Sequence, residues 1–289
     1  MLTVRAPAKV NLVLEVLAKG PQYHDICSIA QTIDLCDTLT FEPSTDIEFT
    51  CSDPALTSDN LVLRAASLLR ERLAVGGGAR IHLEKRIPSA QGLGGGSSDA
   101  ASTLLGLNRM WEMGLSRQQL AELGTELGSD VPLFLTGGTV LIEGRGERVT
   151  ALRDMATVYL VLYAPDVRIP LRKTAVMYGR IRSEMYTRGQ FVRAAIDALT
   201  RRGRVPEDLM FNVFEKVAAE IFQGLPHVRT TLEQTTGSRA HLAGSGPCMY
   251  ALLDSEPAAR QAALSLQSSG RQAFVVRTVS IGQLAPEAI

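Results

Sequence analysis

Four glycines and two serines crowded into seven residues are the feature of this chain best suited to chemistry. They stand in Pro88-Ser89-Ala90-Gln91-Gly92-Leu93-Gly94-Gly95-Gly96-Ser97-Ser98. This segment joins a strand ending near Lys85 to a helix expected over Ser97–Trp111. Glycine has no Cβ to hold the backbone away from an anion and accepts positive φ, so successive N–H groups can converge on a phosphate. The helix beyond adds unpaired N–H groups and the positive end of its dipole. Each hydrogen bond to a charged group is worth roughly 1.5–3 kcal/mol, so a few could hold a triphosphate without many basic residues. A flexible joint would also be glycine-rich. Leu93 within the loop and Ser97-Ser98 at the helix start instead suit a fixed turn with hydroxyls aimed at phosphate or Mg²⁺, with Ser98 the candidate metal ligand. No Gly-Lys-Ser/Thr closes the loop, and Ser97 stands where Gly-x-Gly-x-x-Gly needs its last glycine. The P-loop and dinucleotide-binding readings, and with them an oxidoreductase, lose their main support.

Two further segments carry candidate groups. Gly128-Ser129-Asp130-Val131-Pro132 sets an aspartate just after a helix stop in an apolar stretch. That carboxylate either caps a short helix begun at Pro132 or acts as a partly buried general base. Gly244-Ser245-Gly246-Pro247 makes a second tight turn before a strand at Cys248–Leu253, though such a string also fits an ordinary loop.

Alternating or β-branched apolar residues predict strands at Leu2–Val4, Val10–Val16, Thr38–Phe41, Ile47–Cys51 and Ile81–Leu83. A helix capped by Asp59 follows, with Leu61, Val62, Ala65, Leu68, Leu69 and Leu73 along one face. Ser116 and Gln119 form a capping box for a helix stopped by Gly128. Later come a strand at Thr157–Tyr163, helical stretches over 171–222, a helix at Ala258–Ser268 and a strand at Ala273–Thr278. The change of texture places a domain boundary near residue 150, giving units 1–150 and 151–289.

Thirty basic and thirty acidic residues cancel, which argues against nucleic acid or an anionic membrane as partner and for a small molecule. Cys27, Cys36, Cys51 and Cys248 form no Cys-x-x-Cys pair, and the four histidines lack metal-ligand spacing. Free thiols in a reducing cytoplasm are the expectation. The longest apolar run, Val158–Ala164, falls far short of the roughly 20 residues of a membrane span. Asn11 and Glu15 break the stretch that might pass for a signal peptide.

Taken in order, Pro7-Ala8-Lys9-Val10-Asn11-Leu12, the loop Gly92–Ser98 and Gly244–Pro247 resemble the three signature motifs of the GHMP kinase superfamily, nearly end to end. Tyr23-His24 with Gln31, Asp59-Asn60-Leu61 and Gly128-x-Asp130-Val131-Pro132 resemble the branch whose alcohol substrate carries a cytidine diphosphate. The resemblance implies an α+β fold, with a ribosomal-S5-like amino-terminal domain, a ferredoxin-like carboxyl-terminal domain and an active-site cleft between. It implies ATP and Mg²⁺, Asp130 as the base that takes the acceptor's proton and Lys9 beside it. Tyr23 and His24 would grip cytosine, Asn11 would position the acceptor, and Asn60 would lie near adenine. Other branches phosphorylate homoserine, mevalonate or sugars, and a regulator could keep the fold without catalysis. Tyr23-His24 discriminates against the former, and Lys9 with Asp130 against the latter. Gln22 before Tyr-His, Gln91 in the loop and Cys248 after Gly-Ser-Gly-Pro depart from the usual pattern. Oligomeric state is left open.

Overall fold

The computed structural model describes residues 1–57, 60–280 and 283. The chain opens with a long hairpin of β1 (Leu2–Lys19) and β2 (His24–Ser44), then β3 (Ile47–Cys51), α1 (Leu61–Arg72) and β4 (Gly78–Glu84). Next come α2 (Gly95–Met110), α3 (Arg117–Leu127), α4 (Val131–Thr136), β5 (Thr139–Gly144) and β6 (Arg148–Ala151). The remainder comprises β7 (Tyr159–Tyr163), α5 (Lys173–Gly179), α6 (Gln190–Arg202), β8 (Phe211–Asn212), α7 (Phe214–Ile221), α8 (Leu225–Thr236), β9 (Ala240–Leu242), β10 (Met249–Leu253), α9 (Glu256–Ser268) and β11 (Ala273–Arg277).

The first sheet runs β3-β4-β2-β1-β8, with β5 also on β2 and β6 on β5. The second, β11-β7-β10-β9, is antiparallel, and its connections through α8 and α9 are those of a ferredoxin-like unit. The fold is α+β, as the motifs imply.

The five short strands expected near the amino terminus are in part pieces of two long ones. Ala6, Pro7, Ala8 and Lys9 interrupt the β-branched pattern, yet Ala6 to Val16 are all buried, so packing on both faces sets the strand. Ala8, Val10 and Leu12 join Leu160, Leu162 and Tyr250 in the core between the two sheets. Val4 and Ala6 join the core that takes in Ala100, Ala101 and Leu104 of α2. No strand is expected between Leu127 and Thr157, but β5 and β6 lie there. The cap of α1 is Asn60, whose Oδ1 accepts Val62 N–H, and not Asp59, which lies outside the described residues. Helix α2 starts at Gly95, so Ser97 and Ser98 sit within its first turn.

β2 forks the sheet. Ile26–Gln31 pair with β5 and Thr38–Ser44 with β4. At the fork Asp37 Oδ1 accepts Arg86 N–H at 2.5 Å and Ile87 N–H at 2.8 Å, steering the chain out of β4 into the glycine loop. Lys85 Nζ donates to Asp37 Oδ2 at 2.5 Å and Asp99 Oδ2 at 2.8 Å, which ties β2 to α2 beneath the loop. Farther on, Lys9 N–H donates to Leu93 O at 2.9 Å, and Cys248 N–H to Gln91 O at 3.2 Å. The loop is thus pinned to a strand of one sheet and to the entry of a strand of the other.

Gly92 has φ +86°, and a Cβ there would stand 2.1 Å from Ala243 O, inside van der Waals contact with backbone. Gly96 has only Leu61 Cδ1 near, at 3.8 Å. Gly92→Ala should therefore lower Tm by an amount equivalent to about 1–3 kcal/mol. Gly96→Ala should hold or raise Tm, since alanine favours a helix by about 1 kcal/mol over glycine. Thermal unfolding of both variants checks this, and an undisturbed Gly92→Ala would contradict the close approach.

In β9 the buried His241 packs beside Tyr250 with Nε2 3.3 Å from Glu207 Oε1. Burial, helped by Arg239 and Arg229, holds its imidazole down to about 3 against an ordinary 6.5. The folded chain then refuses a proton that the unfolded chain accepts, so stability should fall as pH drops from about 6.5 towards 3. His241→Gln should flatten that slope in Tm against pH; an unchanged slope would show that His241 titrates alike in both states.

Candidate active site

A cleft of about 870 Å³ opens where the glycine loop, β1, α4 and α5 meet. Pro88 to Ser97 line it, together with Lys9, Asn11, Asn60 and Asp130. From the later part of the chain Lys173, Tyr178 and Ser245 contribute.

Lys9 and Asn11, two residues apart on β1, share a face of the strand. Lys9 Nζ donates to Asn11 Oδ1 at 2.6 Å, Asn11 Nδ2 to Ser28 Oγ at 2.9 Å, and Ser28 Oγ to Val13 O at 2.5 Å. This relay fixes the amide and, through it, the ammonium. Burial pulls the Lys9 ammonium below its usual value, and the Asp130 carboxylate pushes it back up.

Helix α3 ends on Gly128, whose N–H donates to Gly124 O, and α4 begins at Val131 with Pro132 in its first turn. Asp130 holds the N-cap position between them, yet its carboxylate caps no N–H. Of the two roles open to this residue from sequence, capping is absent. The carboxylate is half-buried in the cleft, near enough to favour the charged forms of Lys9 and Lys173 and to oppose ionisation of the Tyr178 phenol.

The expected cytosine-binding pair divides. His24 begins β2 and stacks on Tyr178, ring centroids 5.1 Å apart, while Tyr178 meets Phe214 edge-on at 4.9 Å. Burial, then Lys19, lowers the His24 imidazole from its ordinary value, and its buried Nε2 has no hydrogen-bond partner. Tyr23 is 57% exposed outside the cleft, with the Arg145 guanidinium 5.3 Å over its ring.

Other candidates are more committed. Asn60 lines the cleft, but its Oδ1 accepts from Val62 N–H and its Nδ2 donates to Leu56 O, both at 2.8 Å. Ser97 faces the cleft; Ser98 is fully buried away from it, its Oγ without a partner. Gln91 donates to Pro165 O at 3.2 Å, so the loop's departure from a small residue anchors it to the later part of the chain. Cys248 is buried, its thiol pushed up to about 12 by burial, and does not line the cleft.

Sequence reasoning passes over Lys85, Asp37, Asp99, Lys173 and Tyr178. Burial raises the Asp99 carboxyl even with Lys85 beside it, because Asp37 shares the same ammonium. A lysine three residues before a proline, or a tyrosine in a helix, carries no motif. Only the fold brings them to the cleft.

Comparison with known proteins agrees with this geometry. The GHMP kinases N terminal domain matches residues 60–138, and the GHMP kinases C terminal domain residues 194–272. A 4-diphosphocytidyl-2-C-methyl-D-erythritol kinase of Dehalococcoides mccartyi is 39% identical over 96% of this chain and 99% of its own length. A crystal structure of 4-(cytidine 5'-diphospho)-2C-methyl-D-erythritol kinase superimposes with a TM-score of 0.82 at 35% identity, covering 96% of this chain and 99% of that one. A homoserine kinase from Cytophaga hutchinsonii, at 19% identity and a TM-score of 0.72 over 96% and 94% of the two chains, shares the fold alone. Matched in both halves, and along nearly its whole length by relatives of one kind, the chain belongs to the 4-diphosphocytidyl-2-C-methyl-D-erythritol kinase family of the ATP-dependent GHMP kinases.

Proposed function

We propose that the chain transfers the γ-phosphoryl group of ATP to the 2-hydroxyl of 4-diphosphocytidyl-2-C-methyl-D-erythritol, in the non-mevalonate route to isoprenoid precursors. The observation that carries this reading is the carboxylate of Asp130, free of capping duty and facing the phosphate loop's own cleft beside Lys9. Relatives named for that substrate over nearly their full length support it.

In this reading Pro88 leads into the loop, and the N–H groups of Ser89–Ser98, running into the start of α2, cradle the triphosphate. Asp130 takes the proton as the hydroxyl oxygen attacks the γ-phosphorus, and ADP departs from the opposite side. Lys9, held by Asn11, lies beside Asp130 and steadies charge on the transferring group. Asn60 serves the adenine end as a wall, since both polar atoms of its amide are already engaged. A bound Mg²⁺ would neutralise phosphate charge. Phosphate oxygens and water would supply its ligands; Ser98, the candidate from sequence, has an unpartnered Oγ but is buried and does not line the cleft, so it does not fit that role where it stands. The cytosine would lie against Tyr178 with the unpartnered His24 Nε2 as a hydrogen-bonding group, Tyr23 folding in from the rim. Residues 1–150 would carry nucleotide and base, and 151–289 the far wall of the acceptor site. A reducing cytoplasm is the proposed place of action, in keeping with four unpaired cysteines.

ATP consumption with Mg²⁺ should be confined to 4-diphosphocytidyl-2-C-methyl-D-erythritol when homoserine, mevalonate and galactose are assayed beside it. Turnover with one of these others would keep the loop and base but reject the cytosine pocket. Asp130→Asn should lose about 10²- to 10⁴-fold in kcat with ATP affinity retained, and near-normal turnover would remove it as the base. Tyr178→Ala and Tyr23→Ala should raise KM for the cytidine substrate by roughly tenfold or more, from stacking worth about 1–3 kcal/mol per base, and leave KM for ATP nearly unchanged. Equal effects on both substrates would misplace the pocket.

A further inference from the structure

Beyond the Asp130–Lys9 pair, Lys85, Asp99, Arg172 and Lys173 also line the cleft without a part in the mechanism above, and Lys173 is the one whose ammonium bonds a carbonyl of the glycine loop. Lys173, the first residue of α5, reaches across the cleft mouth and donates to Ala90 O of the glycine loop at 2.8 Å and to Gly246 O of the Gly-Ser-Gly-Pro turn. Neither partner is a carboxylate. An ammonium has three N–H donors, and two neutral carbonyls leave one donor and the whole charge unmatched.

The other lysines of the cleft differ in this respect. Lys85 is neutralised by Asp37 and Asp99. Lys9 is paired by charge with Asp130. Burial, with repulsion from Lys9, holds the Lys173 ammonium down to about 8, while Cys248 and Asp130 pull weakly the other way. Lys9, Lys173 and Asp130 thus leave one positive charge in excess at the end of the phosphate loop. An oxyanion placed there would take up the spare donor and relieve the repulsion between the two ammoniums. The chain also accepts strain to set the residue in place: Arg172, just before it, has φ 53°, in the left-handed region that is unfavourable for a non-glycine residue.

We infer that Lys173 is a phosphate-binding residue of this active site, closing the cradle from the side opposite Lys9 by donating its third N–H to a phosphate oxygen. The inference rests on the reading of the cleft as a phosphoryl-transfer site. Two phosphate groups could meet it there, the terminal phosphates of ATP and the diphosphate of the acceptor.

Calorimetric titration of the full chain separates these without any turnover. ATP is compared with adenosine, and CDP with cytidine, for the wild type, Lys173→Met and Lys173→Arg. The phosphate-bearing ligand should lose about ten- to a hundredfold in affinity in Lys173→Met, with its phosphate-free counterpart unchanged and Lys173→Arg largely restored. Loss confined to ATP assigns the contact to the nucleotide, and loss confined to CDP assigns it to the acceptor. Equal weakening of phosphate-bearing and phosphate-free ligands would reduce Lys173 to a latch between two loops and overturn the inference, as would no weakening at all. Wild-type protein that binds ATP no better than adenosine and CDP no better than cytidine would instead reject the phosphoryl-transfer reading. Should Lys173→Met fail to fold, Lys173→Gln keeps donors for the two carbonyls without the charge and serves the same comparison.

Discussion

The structure depends on a contact between backbones. Gly92 presses against Ala243 so closely that no side chain fits between them, and Gly244 returns the approach with its own missing Cβ 2.7 Å from Gly92 O. Around this point Lys9 N–H and Cys248 N–H hold the loop carbonyls of Leu93 and Gln91. Asn212 Nδ2 grips Leu242 O and Gly244 O from below at 2.9 and 2.8 Å. The two sheets are therefore joined at the very segment that offers its N–H groups to phosphate. A hinge elsewhere would let the cleft walls drift; here the cradle itself is the joint, and its geometry is fixed before any ligand arrives.

Charge is arranged around that joint with unequal compensation. Asp37 spends one oxygen on the backbone entering the loop and the other on Lys85, which in turn holds Asp99 at the start of α2. That cluster sets two carboxyl groups, Asp99 raised by burial, around one ammonium and acts as a brace. Lys9 and Lys173 stand nearer the cleft, share a single carboxylate, and are both held below the usual lysine range by burial. A buried cation lacking a full counter-charge destabilises the free protein, and the free energy is recovered when an anion binds. In the proposed reading, affinity for phosphate would draw on this uncompensated positive charge.

What could be read from sequence follows from what each feature depends on. The glycine loop, the Gly128 stop and the capping box of Ser116 with Gln119 are local devices, and short strings specify them. Whether Asp130 caps its helix is not local: it turns on where the α4 entry meets β1 and the Gly146 turn. The length of β1 was hidden because Pro7, Lys9 and Asn11 look like loop residues until the burial of both faces is known. Asn60 took the cap from its neighbour because its amide can bond both ways, to Val62 N–H and Leu56 O. Lys85, Lys173 and Tyr178 come from a strand end and a short helix with no distinctive composition. Their meaning lies in sequence separations of 48 residues from Lys85 to Asp37 and 83 from Lys173 to Ala90, which no local pattern can encode.

The two sides of the cleft are built by different means, and this bears on how one fold serves several acceptors. The loop side is main chain: its shape needs glycine at a few positions, such as Gly92 against Ala243 O. The opposite side is side chain: Tyr178 wedged between His24 and Phe214, Tyr23 and Arg145 at the rim, Lys173 spanning the mouth. Replacing Tyr178, His24, Tyr23 or Arg145 changes the shape and polarity offered to an acceptor, and none of these side chains bonds a carbonyl of the glycine loop. Lys173 alone belongs to both sides, since its ammonium is held by loop carbonyls while its stem leaves α5, the helix that carries Tyr178. A shift of α5 would therefore be felt at the loop proposed to hold ATP, and in that reading one side chain would link the two substrate sites.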